Sequence, residues 1–109
     1  RHIGNQVRVM IHDALDAFAR LDAEQALQVL LADADIDREY QSATRTLMTY
    51  MIEDPRHISR VINVMWVLRS LERIGDHARN IAEQVIYIAK GLDVRHTRIE
   101  EIEEKVHRG

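Results

Sequence analysis

Glu72, Asp76 and Asn80 recur at steps of four, which on a helix stacks their oxygen atoms as a ladder one turn apart. Glu83 lies close to the same line. A second ladder, Asp33 and Asp37, has Asp35 and Glu39 as a parallel pair beside it. Rows of carboxylate and amide oxygens, with no cysteine anywhere in the chain, suit all-oxygen coordination of Mg²⁺, Mn²⁺, Ca²⁺ or iron. Four such carboxylates brought together would repel by roughly 1 kcal/mol per contact at a surface-like dielectric. Something positive has to fill the gap. Arg38, Arg69, Arg73 and Arg79 are near enough in sequence to do so as internal ion pairs. Spacing alone leaves the metal site and the salt-bridged face both open.

The remaining candidates are weaker. His12 shares a helical face with Asp16 and is a possible extra ligand, while His77 points about 100° away from Asp76. His2, His57, His96 and His107 fall near ends or loops and read as solvated. The Glu-x-x-His spacing of di-iron bundles is absent around the ladder, as are a Walker loop, a nucleophile elbow and a zinc-protease motif. No acid, base and nucleophile set accompanies the carboxylates, so the chain does not read as an enzyme. Tyr40, Tyr87 and Trp66 read as packed or half-packed aromatics.

These ladders have to be held by long helices. Ile3, Val7, Met10, Ile11, Ala14, Phe18 and Leu21 form a helical stripe, giving a first helix over about 2–20. Asp22 is a good N-cap for the second, with Gln25 in capping-box position, and that helix runs over 22–53 without a breaker. Its inward positions are Ala23, Ala26, Leu27, Leu30, Ala34, Tyr40, Leu47 and Met51. Asp54-Pro55 is the clearest boundary, since Asp caps and Pro suits a first helical turn. The third helix spans 55–90 and stops at Gly91. Along it Val64, Val67, Leu71, Ile74, Ala78, Ile81, Val85 and Ile88 alternate by threes and fours, an apolar seam. Gly75 inside this helix implies either a close helix approach or room for the ladder. After Gly91 comes a tail, 91–109, whose Thr97 and Glu100 read as a capping box before a short helix over about 97–107. That helix either docks or frays.

No period-two pattern appears, so the fold class is all-α: an elongated antiparallel three-helix bundle over 1–90, roughly 50 Å long, with a short C-terminal helical tail. In the hairpin about Asp54-Pro55, Asp37 lies 17 residues before Asp54 and Glu72 lies 17 after Pro55. Asp33 and Asp76 lie 21 away on the same count. Two carboxylate pairs therefore share a height.

The formal net charge of −3 gives no case for nucleic acid. No apolar run approaches the roughly 20 residues of a membrane span, so no direct membrane insertion is expected, and the absence of cysteine fits a reducing compartment.

The run ERIGDHARNIAE (72–83) resembles the signature of the PhoU family of bacterial phosphate-uptake and phosphate-signalling regulators. MIHDALDAFARLD (10–22), DADIDREY (33–40), LMTYMIEDPR (47–56) and KGLDVRHT (90–97) resemble further family stretches in the same order. Family members have two consecutive three-helix repeats, and the likeness implies that this chain is the C-terminal one, without the other. It implies a cytoplasmic negative regulator of phosphate uptake and starvation signalling, an adaptor between the phosphate ABC transporter's ATPase subunit PstB and the sensor kinase PhoR. A homodimer stays open. The family's acidic motif, Glu or Asp, three residues, then Asp, falls on Asp33 with Asp37 and on Glu72 with Asp76. That implies a metal site (Fe, Zn, Mn or Mg) on Asp33, Asp37, Glu72 and Asp76, with Asn80 as ligand or outer donor. The alternative is a carboxylate-cluster module with enzymatic or direct phosphate-binding activity.

Overall fold

The computed structural model describes residues 2–91 and 99–108. Its helices are α1 (His2–Arg20), α2 (Ala23–Glu53), α3 (Ile58–Lys90) and α4 (Ile99–Arg108), and no strand occurs among the described residues. The principal extents are 54 × 24 × 17 Å, the rod expected of long helices joined by short turns.

Each turn has a local chemical cause. α1 ends where Leu21 adopts a left-handed φ of 50°. The Leu21 N–H donates to the Phe18 carbonyl and the Asp22 N–H to the Ala17 carbonyl, the paired bonds of a Schellman motif. The Asp22 carboxylate then caps α2 by accepting from the Gln25 N–H at 3.1 Å. Only half of the expected capping box forms, because the Gln25 Oε1 accepts from the Arg20 guanidinium at 3.0 Å while the Asp22 N–H is already spent on the Ala17 carbonyl. At the second turn Asp54 accepts from the Arg56 N–H and from the Arg56 guanidinium, which holds the Asp54 carboxyl below its ordinary range. Pro55–His57 is a 3-10 turn, so α3 proper starts three residues after the expected position. Gly91 closes α3 with φ 70°, a conformation glycine adopts without cost.

The core runs through Val7, Met10, Ala14, Ala17, Ala26, Leu27, Leu30, Ala78, Ala82, Val85 and Ile86. Small residues on all three long helices let them approach closely. Two expectations shift here. On α1 the buried position is Ala17, while Phe18 and Leu21 are exposed. On α3 the buried line is Val61, Gly75, Ala78, Ala82, Val85 and Ile86, and Val64, Val67, Ile74 and Ile88 of the expected seam are exposed. A straight helix drifts about 20° per heptad from a strict seven-residue repeat. In addition, α1 has 19 residues against 33 in α3, so it cannot run beside the whole of α3. α4 docks on α2, burying Ile102 and Val106, with His107 3.1 Å from Glu24. Thr97, the expected cap of this helix, lies outside the described residues.

Gly75 is buried, yet a methyl group there would meet no heavy atom within 4 Å. No helix presses on it. Gly75→Ala should therefore raise stability by about 1 kcal/mol through helix propensity, seen as a higher urea midpoint with unchanged slope. A lower midpoint would mean that the glycine serves the neighbouring ladder.

Candidate functional site: an acidic patch closed on one arginine

The hairpin brings the two ladders together. Asp33 Oδ2 and Asp76 Oδ1 each lie 3.5 Å from the same Arg79 Nη1, and Glu83 Oε2 lies 4.0 Å from Arg79 Nε. The heights counted from the turn are thus the heights found. Asp33 is the buried charged residue of the described chain, 8% exposed. Its carboxyl is pushed up to about 6, first by burial and then by the negative charge of Asp37, against the opposing pull of Arg79. Asp37 is raised by burial too, with Asp76 adding to the shift and Arg79 countering it. Glu72 faces the same region: burial, then the charges of Glu72, Asp37, Asp76 and Asp33, hold the Tyr40 hydroxyl well above its usual range. Asp33 and Asp76 thus meet at Arg79, and Asp37 and Glu72 add negative charge around Tyr40.

Asn80 does not join them. It is exposed, and a step of four rotates a position by about 40° on an ideal helix. Two such steps carry Asn80 off the face that Glu72 begins. Steps of four, three and four, which reach Asp76, Arg79 and Glu83, hold the line. That spacing was present in the sequence, but it did not by itself choose Arg79 over the other three arginines. Of the other arginines weighed, Arg38 pairs with Asp35, whereas Arg69 and Arg73 make no ion pair among the described residues. His12 lies at 3.5 Å from Asp13 with a largely exposed side chain, so it stands apart from the patch.

The oxygen chemistry of Asp33, Asp37, Glu72 and Asp76 suits a hard divalent cation. As arranged, the cation between Asp33 and Asp76 is the Arg79 guanidinium. Among the described residues, no three carboxylate or imidazole groups stand close enough together to hold a metal ion.

Two aromatic residues depart from expectation. Tyr40 is buried as expected, but its hydroxyl has no hydrogen-bond partner. Trp66, expected packed or half-packed, is 65% exposed, and Tyr87 is exposed as well. Periodicity signals apolar positions but not whether a third helix reaches them. No described helix is long and apolar enough to cross a membrane.

Comparison with known proteins places these features in a family. The PhoU domain profile matches residues 1–85. The chain is 62% identical over 106 residues to the phosphate-specific transport system accessory protein PhoU homolog of Pseudomonas aeruginosa, covering 97% of this chain and 44% of that protein. It is 44% identical over 101 residues to the Escherichia coli phosphate-specific transport system accessory protein PhoU, covering 93% and 42% respectively. The crystal structure of PhoU from Pseudomonas aeruginosa superposes with a TM-score of 0.82 at 65% identity, over 84% of this chain and 44% of that one. The chain spans less than half the length of these relatives. With matched residues that take in both acidic ladders and all three long helices, the chain belongs to the PhoU domain family.

Proposed function

We propose that this chain is a regulatory module of phosphate transport that works by docking and not by catalysis. The observation that carries the reading is its high identity to proteins named as accessory to a phosphate-specific transport system. Two structural features support it: an elongated bundle with broad exposed helical faces, and a carboxylate cluster neutralised internally instead of being paired with a nucleophile. In this reading the module joins the transporter's ATPase subunit PstB to the sensor kinase PhoR and restrains both uptake and signalling when phosphate is plentiful. Retention of the ATPase subunit and of the kinase's cytoplasmic part on the immobilised full-length protein is the expected result. Retention of neither would remove the adaptor role.

The acidic patch belongs to the same proposal as a cation-sensitive element. Asp33, Asp37, Glu72 and Asp76 would hold a divalent ion once the Arg79 side chain moves aside, and the ion would supply the positive charge that Arg79 supplies now. Docking surfaces are biased only by differential affinity for two states, and exchanging an internal for an external cation is such a difference. Titrating metal-stripped protein with Mn²⁺ or Zn²⁺ tests this. Asp76→Ala should bind at least about tenfold more weakly than wild type, in line with loss of one charged ligand. Equal binding would remove the patch as a cation site.

A further inference from the structure

The half of the hairpin beyond the reach of α1 carries a groove that the acidic patch does not use. It has a volume of about 700 Å³ and lies between α2 and α3. Its apolar floor is Ile62, Met65 and Trp66, all exposed to solvent. Arg45 and Arg69 also line it, and neither guanidinium makes an ion pair or hydrogen bond among the described residues. Tyr40 also lines it. An apolar floor therefore carries unspent guanidinium donors at its edge.

We infer that this groove docks an acidic amphipathic helix of a protein partner, with apolar residues on Ile62, Met65 and Trp66 and carboxylates on Arg45 and Arg69. Helix-in-groove recognition needs an apolar channel with charges along its flanks, and guanidinium donors match carboxylates bidentately. The sign of the partner follows from the unpaired donors. Its position follows from the neighbouring acids: Glu72, at the end of the groove nearest the patch, would repel carboxylates and hold the partner at the arginine end. A second copy of this chain is a poorer occupant. Its own acidic amphipathic helix, α4, already spends Ile102 and Val106 on its own α2.

This inference rests on the docking role proposed above and names the surface that performs it. Trp66 is the single tryptophan of the chain, so its emission reports on this groove alone. The test titrates the protein with two synthetic helical peptides that share a leucine stripe at i, i+3 and i+7, one flanked by glutamates and the other by lysines. The glutamate peptide should shift Trp66 emission to the blue saturably, and the lysine peptide should bind about tenfold more weakly or worse. In the double variant Arg45→Glu/Arg69→Glu the preference should invert. Both substitutions are on exposed side chains, and an unchanged unfolding midpoint checks that the variant folds. Equal binding of the two peptides, no emission change with either, or an unchanged preference in the variant would overturn the inference. So would emission that is already blue-shifted without peptide and reddens on dilution, because a second copy would then fill the groove. Should the charge-reversed protein retain the transport and kinase partners as wild type does, this surface is wrong while the adaptor role stands. Should the glutamate peptide bind while neither partner is retained, the adaptor role fails while the groove stands.

Discussion

Arg79→Met is expected to lose about 2 kcal/mol of stability at pH 7.5 in the presence of a chelator. Removing one partner from a buried ion pair costs about 3–5 kcal/mol, and the partial exposure of Arg79 brings the figure down through solvent screening. The guanidinium is the cation shared by Asp33, Asp76 and Glu83. Without it, burial and mutual repulsion act unopposed on Asp33 and Asp37. Methionine keeps most of the aliphatic stem, so the loss reads as charge and not as packing. Two conditions should reverse it. Acidification to about pH 4 protonates Asp33, whose carboxyl titrates at about 6, and a divalent cation replaces the missing charge. Urea unfolding at both pH values, with and without Mn²⁺, measures each arm. A loss that is the same at pH 4 and pH 7.5 would mean that Arg79 acts by packing, and the charge account would fall.

The complementary substitution, Asp33→Asn, should gain about 2 kcal/mol at pH 7.5 and nothing near pH 3.5. The sign follows from linkage. In the folded chain the carboxyl titrates at about 6, above its ordinary value of 3.8. Between those values the folded state holds a proton that the unfolded state has released. Stability therefore falls as pH rises from about 4 to about 6, and levels off above. A shift of that size corresponds to about 3 kcal/mol in full, which partial solvation of the site reduces. Asparagine resembles the protonated acid, so the variant should lose this part of the pH profile. Asp37, which is shifted in the same direction, should keep a fall of the same sign. Thermal unfolding between pH 3.5 and 7.5 in chelator decides the matter: a variant that falls as steeply as wild type between pH 4 and 6 would show that Asp33 carries no such burden. A residue that is costly when ionised is consistent with selection for something other than stability, and the proposed cation exchange at this patch would use it.

Turns and the hairpin register were legible from local chemistry. Asp22, Asp54 with Pro55, and Gly91 each act on backbone groups within a few residues. Such signals need no tertiary context. Once the turn at Asp54-Pro55 is placed, counting along two rods of equal rise sets Asp33 level with Asp76. The 3.5 Å distances from both to Arg79 agree. The 3-10 geometry of Pro55–His57 was not legible, because proline suits the first turn of either helix type.

Less legible was which side of each helix faces what. The seam from Val64 to Ile88 satisfied a seven-residue repeat, and half of it is exposed. Apolar spacing marks a stripe able to be buried, but burial also needs a neighbour, and α1 is too short to cover the whole of α3. The same lack of a neighbour turned Trp66 from an expected packed or half-packed aromatic into part of an open groove.

By itself, the sequence determined the all-α class, the helix ends, the height at which two acidic pairs meet and the family to which the chain belongs, because each depends on interactions a few residues apart or on the order of residues in long motifs. Only the tertiary structure decided that Arg79, out of four nearby arginines, fills the centre of the patch, that Asp33 is its buried member, and that Tyr40 keeps an unpartnered hydroxyl. Those outcomes depend on the rotation of two helices about their own axes. That rotation is set by how small residues such as Ala26, Ala78 and Ala82 pack across the whole bundle, a sum over contacts distant in sequence that no local pattern contains.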